Sequence, residues 1–175
     1  MRHIITFLEG IIKSIDTISE WTGRLMWPLI LALIGVVAYE VMLRYIFNRP
    51  TIWAFDVEYM LGGFFWMIGF AYCLKHRGHV RVDFFYNRLP PRGQAIIDLG
   101  FTLVMFFPAF GLLVRRMVPW VQFSWSAHER SLFGYWYPPI YPWKTAILVS
   151  FSLLLLQGIA EFIRSLLIVI RGKSI

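Results

Sequence analysis

Residues 44–92 read RYIFNRPTIWAFDVEYMLGGFFWMIGFAYCLKHRGHVRVDFFYNRLPPR. A polar turn containing Arg44, Asn48, Arg49 and Pro50 leads into an apolar run, and a basic loop follows. From Tyr59 to Leu74 there is no charged residue in 16 positions, and Glu58 and Lys75 close the run at its two ends. A strand needs fewer residues, and a helix in water would show a polar face. The run therefore reads as a membrane-spanning helix. Its flanks carry more polar residues than a simple hydrophobic anchor requires.

Composition extends that reading to the whole chain. Of 175 residues, 58% are apolar and 15% charged, too few to cover a surface facing water. The net charge of +7 is spread between apolar runs and forms no continuous stripe. That pattern points away from nucleic acid and toward positive charge retained on the cytoplasmic side of a membrane. The single Cys73 excludes an internal disulfide.

Outward from the central stretch, three more spans emerge. The first covers residues 21–43, with a charge-free centre of 15 residues from Leu25 to Tyr39. That is short of the roughly 20 needed to span. Arg24 can snorkel at one end, and Glu40 can pair with Arg44 one turn later. The second covers residues 58–75, the third 98–116 with a kink expected at Pro108, and the fourth 144–163. In the second, Gly62, Gly63 and Gly69 either admit a neighbouring helix closely or are merely tolerated in lipid.

Before the first span, Ile4, Leu8, Ile11, Ile15 and Ile18 share a helix face, with Glu9, Lys13, Asp16 and Glu20 elsewhere. Residues 1–20 are accordingly expected to form an uncleaved amphipathic helix at the membrane interface. Residues 164–175 make a cytoplasmic tail. The fold class is a single all-α integral membrane domain over residues 1–175. It has four transmembrane helices plus an amphipathic N-terminal interfacial helix. Lys and Arg number eleven on the side of the termini and residues 75–98, against six on the other, which puts both termini in the cytoplasm.

The loop from Met117 to Trp143 is dense in aromatics, with Trp120, Trp125, Trp136 and Trp143 joined by Tyr135, Tyr137 and Tyr141. Two readings stand for it: an aromatic belt in the headgroup layer, or a rigid surface for docking another protein. Chemistry is sparse elsewhere. The four charge-free cores contain no Asp, Glu, Lys, Arg or His, whereas a self-sufficient carrier usually keeps such a group deep in the bilayer. All four histidines lie outside the cores, against a membrane cytochrome. Cys73, His76 and His79 have a ligand-like spacing but no fourth partner nearby. No phosphate loop, nucleophile elbow or carboxylate pair appears, so neither an enzyme nor a cofactor is expected.

Recognition comes from the same stretch. The segment Arg44 to Pro50, then Trp53, then Gly78-His79-Val80-Arg81-Val82-Asp83 and Asn87-Arg88-Leu89-Pro90, resembles the small membrane subunit (DctQ-like, Q component) of tripartite ATP-independent periplasmic (TRAP) transporters. The motifs cover about fifty residues, and four spans agree along the chain. The resemblance implies a bacterial inner-membrane protein whose partners are membrane lipid, a large multi-span membrane subunit and a periplasmic substrate-binding protein. Its implied work is bracing the scaffold of the large subunit in sodium-coupled uptake of an organic acid, and helping to dock the binding protein. Substrate and sodium sites belong, in that family, to the large subunit. Partner-facing or structural roles fall on Arg44, Asn48, Arg49, Trp53, Asp56, Glu58, His79, Arg81 and Asp83. One departure is visible: the family shows adjacent acids after the tryptophan, and here Asp56 and Glu58 are two apart. The reading from another class is a self-sufficient small homo-oligomeric carrier or channel, which the charge-free cores disfavour.

Overall fold

The structure, a computed structural model, describes residues 2–76 and 90–171. His79, Arg81 and Asp83 lie outside the described residues. The chain forms α1 (Arg2–Tyr45), α2 (Ala54–Lys75), α3 (Pro91–Phe101), a π-helical turn (Thr102–Phe106), α4 (Phe107–Ser126) and α5 (Tyr141–Arg171). α3, the π turn and α4 follow without a break, so the described residues form four rods, each long and apolar enough to cross a membrane. Among the described residues there is no strand, only an isolated bridge between Arg130 and Pro139. The all-α, four-span reading holds. The turns 46–53 and 127–140 occupy one end of the bundle, the loop end; the start of α1 and the close of α5 occupy the other, the terminal end.

α1 is a single helix of 44 residues, roughly 66 Å long and about twice the thickness of a hydrocarbon core. The amphipathic stretch and the first span, expected as separate elements, are continuous. No proline or cap interrupts residues 14–24, and the hydroxyls of Ser14 and Thr17 donate to the carbonyls of Gly10 and Lys13 at 3.0 and 2.7 Å. Ile12 on this half is buried, as are Leu167 and Ile168 in the last turns of α5, which packs against α1.

The third rod is distorted beside Pro108, where a kink was expected, and is longer than its expected span. Pro108 has no N–H to offer the Val104 carbonyl, and its ring crowds that same turn. The helix answers by widening to a π turn over Thr102–Phe106, which ends two residues before the proline. It then runs through Arg115 and Arg116, where the span was expected to close, as far as Ser126. Both arginines are exposed, so their heads leave the helix sideways and the backbone continues.

α5 is the hub, touching α1, α2, α3 and α4. Two of the three glycines in α2 admit a neighbour closely. The Trp143 ring lies where a side chain on Gly63 would come within 3.1 Å, and Met26 does the same at Gly69 at 3.0 Å, whereas Gly62 faces open space. Polar side chains set the register at the terminal end. Gln157 is wholly buried; its Nε2 donates to Asp16 Oδ1 at 3.0 Å, and its Oε1 accepts from Ser19 Oγ at 2.6 Å. Arg164 pairs with the other Asp16 oxygen at 2.7 Å and also with Glu161. Glu20 takes Lys75 at 2.6 Å and His76 at 3.3 Å, tying α1 to α2.

Gln157→Ala leaves Ser19 Oγ and Asp16 Oδ1 without their buried partner. Hydrogen bonds between membrane helices average about 0.6 kcal/mol each and reach about 1.7, so a loss of about 1–2 kcal/mol is expected. Thermal unfolding in detergent should show a lowered midpoint, and an unchanged midpoint would mean that packing alone holds α5 on α1.

Candidate functional site

The loop end gathers most of the sequence-expected residues. Glu40, on the last turns of α1, is only 6% exposed and receives four hydrogen bonds. Arg44 donates to Oε1 from Nη2 at 2.7 Å and from Nε at 3.1 Å. Thr51 donates to Oε2 from its N–H at 3.1 Å and from its hydroxyl at 2.5 Å. The Thr51 hydroxyl accepts in turn from the N–H of Ala54, the first residue of α2, at 3.3 Å. One carboxylate thus ties the end of α1 to the start of α2. The turn it encloses closes locally: Asn48 takes φ 54°, a left-handed conformation that asparagine tolerates, and the Arg49 N–H reaches the Leu43 carbonyl at 3.0 Å. Trp53 stacks on Tyr39 with centroids 6.1 Å apart. Glu58 lies within electrostatic reach of Arg44.

Arg44 and Trp53 therefore spend a guanidinium and a ring on shaping this turn and Asn48 shapes it through its backbone, while the Asn48 and Arg49 side chains are exposed. Thr51 carries as much of the clamp as Arg44, yet nothing in the sequence distinguishes it from any threonine before a helix.

Asp56, in the first turn of α2, is 2% exposed. Its Oδ1 accepts from Ser131 Oγ at 3.0 Å, a contact 75 residues away in sequence. Its Oδ2 is buried against Gly134, where any side chain would collide with it, and has no hydrogen-bond partner among the described residues. Glycine at 134 is what lets the loop approach so closely. The same loop closes on itself through Ser131 N–H to Pro138 O at 2.8 Å and Ile140 N–H to Glu129 O at 3.1 Å. Lys144, buried at the start of α5, pairs with Glu129 at 2.5 Å and lies 4.2 Å from the centre of the Trp120 ring. Trp143 donates to the Met60 carbonyl at 3.1 Å, and Tyr59 packs its ring on both Trp143 and Phe133.

The two readings of the aromatic loop divide residue by residue. Trp120, Trp125 and Trp143 are engaged with Lys144, Thr145 and Met60. Leu132, Phe133 and Tyr135 stand out instead, Leu132 and Tyr135 at 84% exposure. Tyr45, Ile46, Phe47 and Phe55 are exposed on the neighbouring turn. The arrangement is a stiff frame presenting apolar side chains. Ser131, Gly134, Glu129 and Lys144 escape a sequence reading because each matters only through a partner on another element. Among the described residues no trio of His, Cys, Asp and Glu is placed to hold a metal ion.

Residues 33–167 match the family described as tripartite ATP-independent periplasmic transporters, DctQ component. Among curated proteins, the chain is similar to the sialic acid TRAP transporter small permease protein SiaQ of Vibrio cholerae serotype O1 (strain ATCC 39315 / El Tor Inaba N16961). The two are 24% identical over 110 residues, 63% of this chain and 60% of that protein. It is also similar to the sialic acid TRAP transporter permease protein SiaT of Haemophilus influenzae (strain 86-028NP). Here identity is 26% over 105 residues, 57% of this chain but 17% of that protein. The matched stretch thus spans less than two thirds of either relative.

The Lys144 ammonium beside Glu129 holds that carboxyl below its ordinary value of 4.5. A lowered folded-state value means that the pair stabilises the loop above pH 4.5. The contribution declines as pH falls from there and is gone below the folded value. The protection of residues 127–140 against hydrogen exchange, taken relative to the intrinsic rate at each pH, should therefore fall on acidification below about pH 4.5 in the unaltered protein. In Glu129→Gln that protection should be low already at neutral pH; equal protection in both at neutral pH would mean that the pair does not hold the loop.

Proposed function

The chain belongs to the DctQ component family of tripartite ATP-independent periplasmic transporters, the small permease subunits, and from that membership we propose how it serves such a transporter. It braces the scaffold of a large multi-span membrane subunit, and its loop end helps to receive a periplasmic substrate-binding protein in sodium-coupled uptake of an organic acid. Both termini and the basic loop around residues 77–89 face the cytoplasm of a bacterial inner membrane, so the loop end faces the periplasm. The partner-facing residues lie around the Glu40 and Asp56 contacts, the exposed Arg49 and the half-buried Glu58 among them, with His79, Arg81 and Asp83 serving on the cytoplasmic side.

The observation that carries the docking role is the loop 127–140. It is fastened to α2 by Asp56 and to α5 by Lys144, while Leu132, Phe133 and Tyr135 stay exposed. A soluble partner that meets an apolar surface already held in place loses less entropy than one that must order a loose loop. The bracing role draws on the pinned helices and on the third rod, none of whose apolar window is buried within the chain. That face has to be covered by lipid or by another membrane subunit. Both relatives are named for sialic acid, itself a carboxylic acid, which supports an organic acid as the transported class.

Co-expression with a large permease and a binding protein from the same transporter tests the proposal. The tagged chain should bring down the large subunit, and uptake into proteoliposomes should need all three proteins and a sodium gradient. A stable homo-oligomer that transports by itself would overturn it. Leu132→Glu with Tyr135→Glu should lower uptake about tenfold or more, as expected when two exposed anchors of a docking surface lose roughly 1 kcal/mol each, with thermal unfolding unchanged. A cysteine replacing Asn87 should resist periplasmic labelling, and ready labelling there would reverse the orientation.

A further inference from the structure

At the terminal end, two hollows lie in series along the seam between α1 and α2. The first, about 230 Å³, is lined by Lys13, Asp16, Thr17, Glu20, Trp21, Arg24 and Lys75. The second, about 250 Å³, is lined by Gly23, Met26, Trp27, Ile30, Phe65 and Tyr72. They adjoin on both helices: Arg24 of the first stands three residues before Trp27 of the second, and Lys75 three residues after Tyr72, each about one turn. Gly23 lets the Tyr72 ring lie directly on the α1 backbone, and that contact forms the floor between the two.

The charges in the first hollow do not cancel. Asp16 is taken by Gln157 and Arg164, and Glu20 by Lys75 and His76. Lys13 and Arg24 are exposed, and neither has a carboxylate within salt-bridge distance among the described residues; the Arg24 guanidinium instead lies 5.9 Å from the Trp21 ring centre. The second hollow offers no charge at all. Arg24 is the last charged residue before the run Leu25–Tyr39, and Lys75 closes the corresponding run of α2. The boundary between the hollows therefore coincides with the boundary between headgroups and hydrocarbon. Trp21 and Trp27, both exposed, straddle it.

We propose that this seam is a binding site for one anionic phospholipid, with its phosphate held by Lys13 and Arg24 and an acyl chain laid along Gly23, Trp27, Ile30 and Phe65. A soluble anion has no use for the apolar half, and an uncharged lipid has none for the cations. A zwitterionic headgroup brings an ammonium that finds both carboxylates already paired. The site stands apart from the docking role, because it involves the opposite end of the bundle and needs no partner protein.

The full chain in mild detergent, supplied with phosphatidylglycerol carrying brominated acyl chains, tests the site. Saturable tryptophan quenching is expected, with Trp27→Phe removing a distinct share of it. Phosphatidylcholine with the same chains should bind at least about tenfold more weakly, since each cation beside a lipid phosphate is worth about fivefold. By the same reckoning, Lys13→Gln with Arg24→Gln should weaken phosphatidylglycerol about twenty- to thirtyfold. Both side chains are exposed, so unfolding without lipid should be unaffected. Equal quenching by the two lipids, or no quenching lost in Trp27→Phe, overturns the site on the unaltered fold. Full displacement by millimolar inorganic phosphate or glycerol phosphate would make it an anion site and overturn the lipid assignment.

Discussion

Gln157 sits in the apolar body of α5 with no exposed surface, and its two hydrogen bonds decide where α5 stands against α1. In lipid the hydrophobic effect does not distinguish a helix neighbour from an acyl chain, so apolar faces bring helices together without fixing their register. A buried amide does fix it, because a slip of one residue leaves the amide, Ser19 and Asp16 all unpaired. Arg164 extends the same pin by holding the second oxygen of Asp16, and Glu20 carries it across to α2 through Lys75. With the terminal end tied in this way, the positions of the loop-end residues follow from helix length and direction.

The loop end repeats the device with carboxylates. Glu40 gathers two donors from Arg44 on its own helix and two from Thr51 in the turn beyond it, so α1 and the start of α2 cannot separate without stripping both Thr51 hydrogen bonds from one buried group. Asp56 does the corresponding work between α2 and the 127–140 loop. Its second oxygen, pressed against Gly134, gives the latch little tolerance for change. Buried charge of this kind is weak as a source of net stability but strong as a source of uniqueness, since wrong arrangements leave it unmet. The proposed bracing and docking roles would draw on that rigidity more than on stability as such. The exposed aromatics then act from fixed positions.

Several of these features were legible in the sequence. The four apolar runs, the pairing of Glu40 with Arg44, a distortion at Pro108 and the family resemblance around Arg44–Pro90 all rest on local pattern, and local pattern is preserved on folding. Other readings needed revision. Residues 1–20 and 21–43 form one helix, because nothing between them breaks it and the early half finds α5 to pack on. The third rod outruns its charged boundary, because exposed arginines interrupt hydropathy without interrupting backbone hydrogen bonds. Gln157, Thr51, Ser131 and the pairing of Lys144 are not legible in the sequence, since each looks unremarkable until its distant partner is known.

The sequence by itself determined the solvent, the number of spans and the family, since all three depend on composition and on residues near one another in the chain. The stretch from Arg44 to Arg92 is enough for most of that. Only the tertiary structure decided which polar residues are spent inside the molecule and which remain for others. Thr51 binds Glu40, Trp53 stacks on Tyr39 and Asp56 holds a loop, while Leu132 and Tyr135, of types usually buried, stand exposed. The reason is reach: an unpaired buried carboxylate or amide must find a donor or acceptor wherever one exists, and here Asp56 finds Ser131 at a separation of 75 residues and Asp16 finds Arg164 at 148.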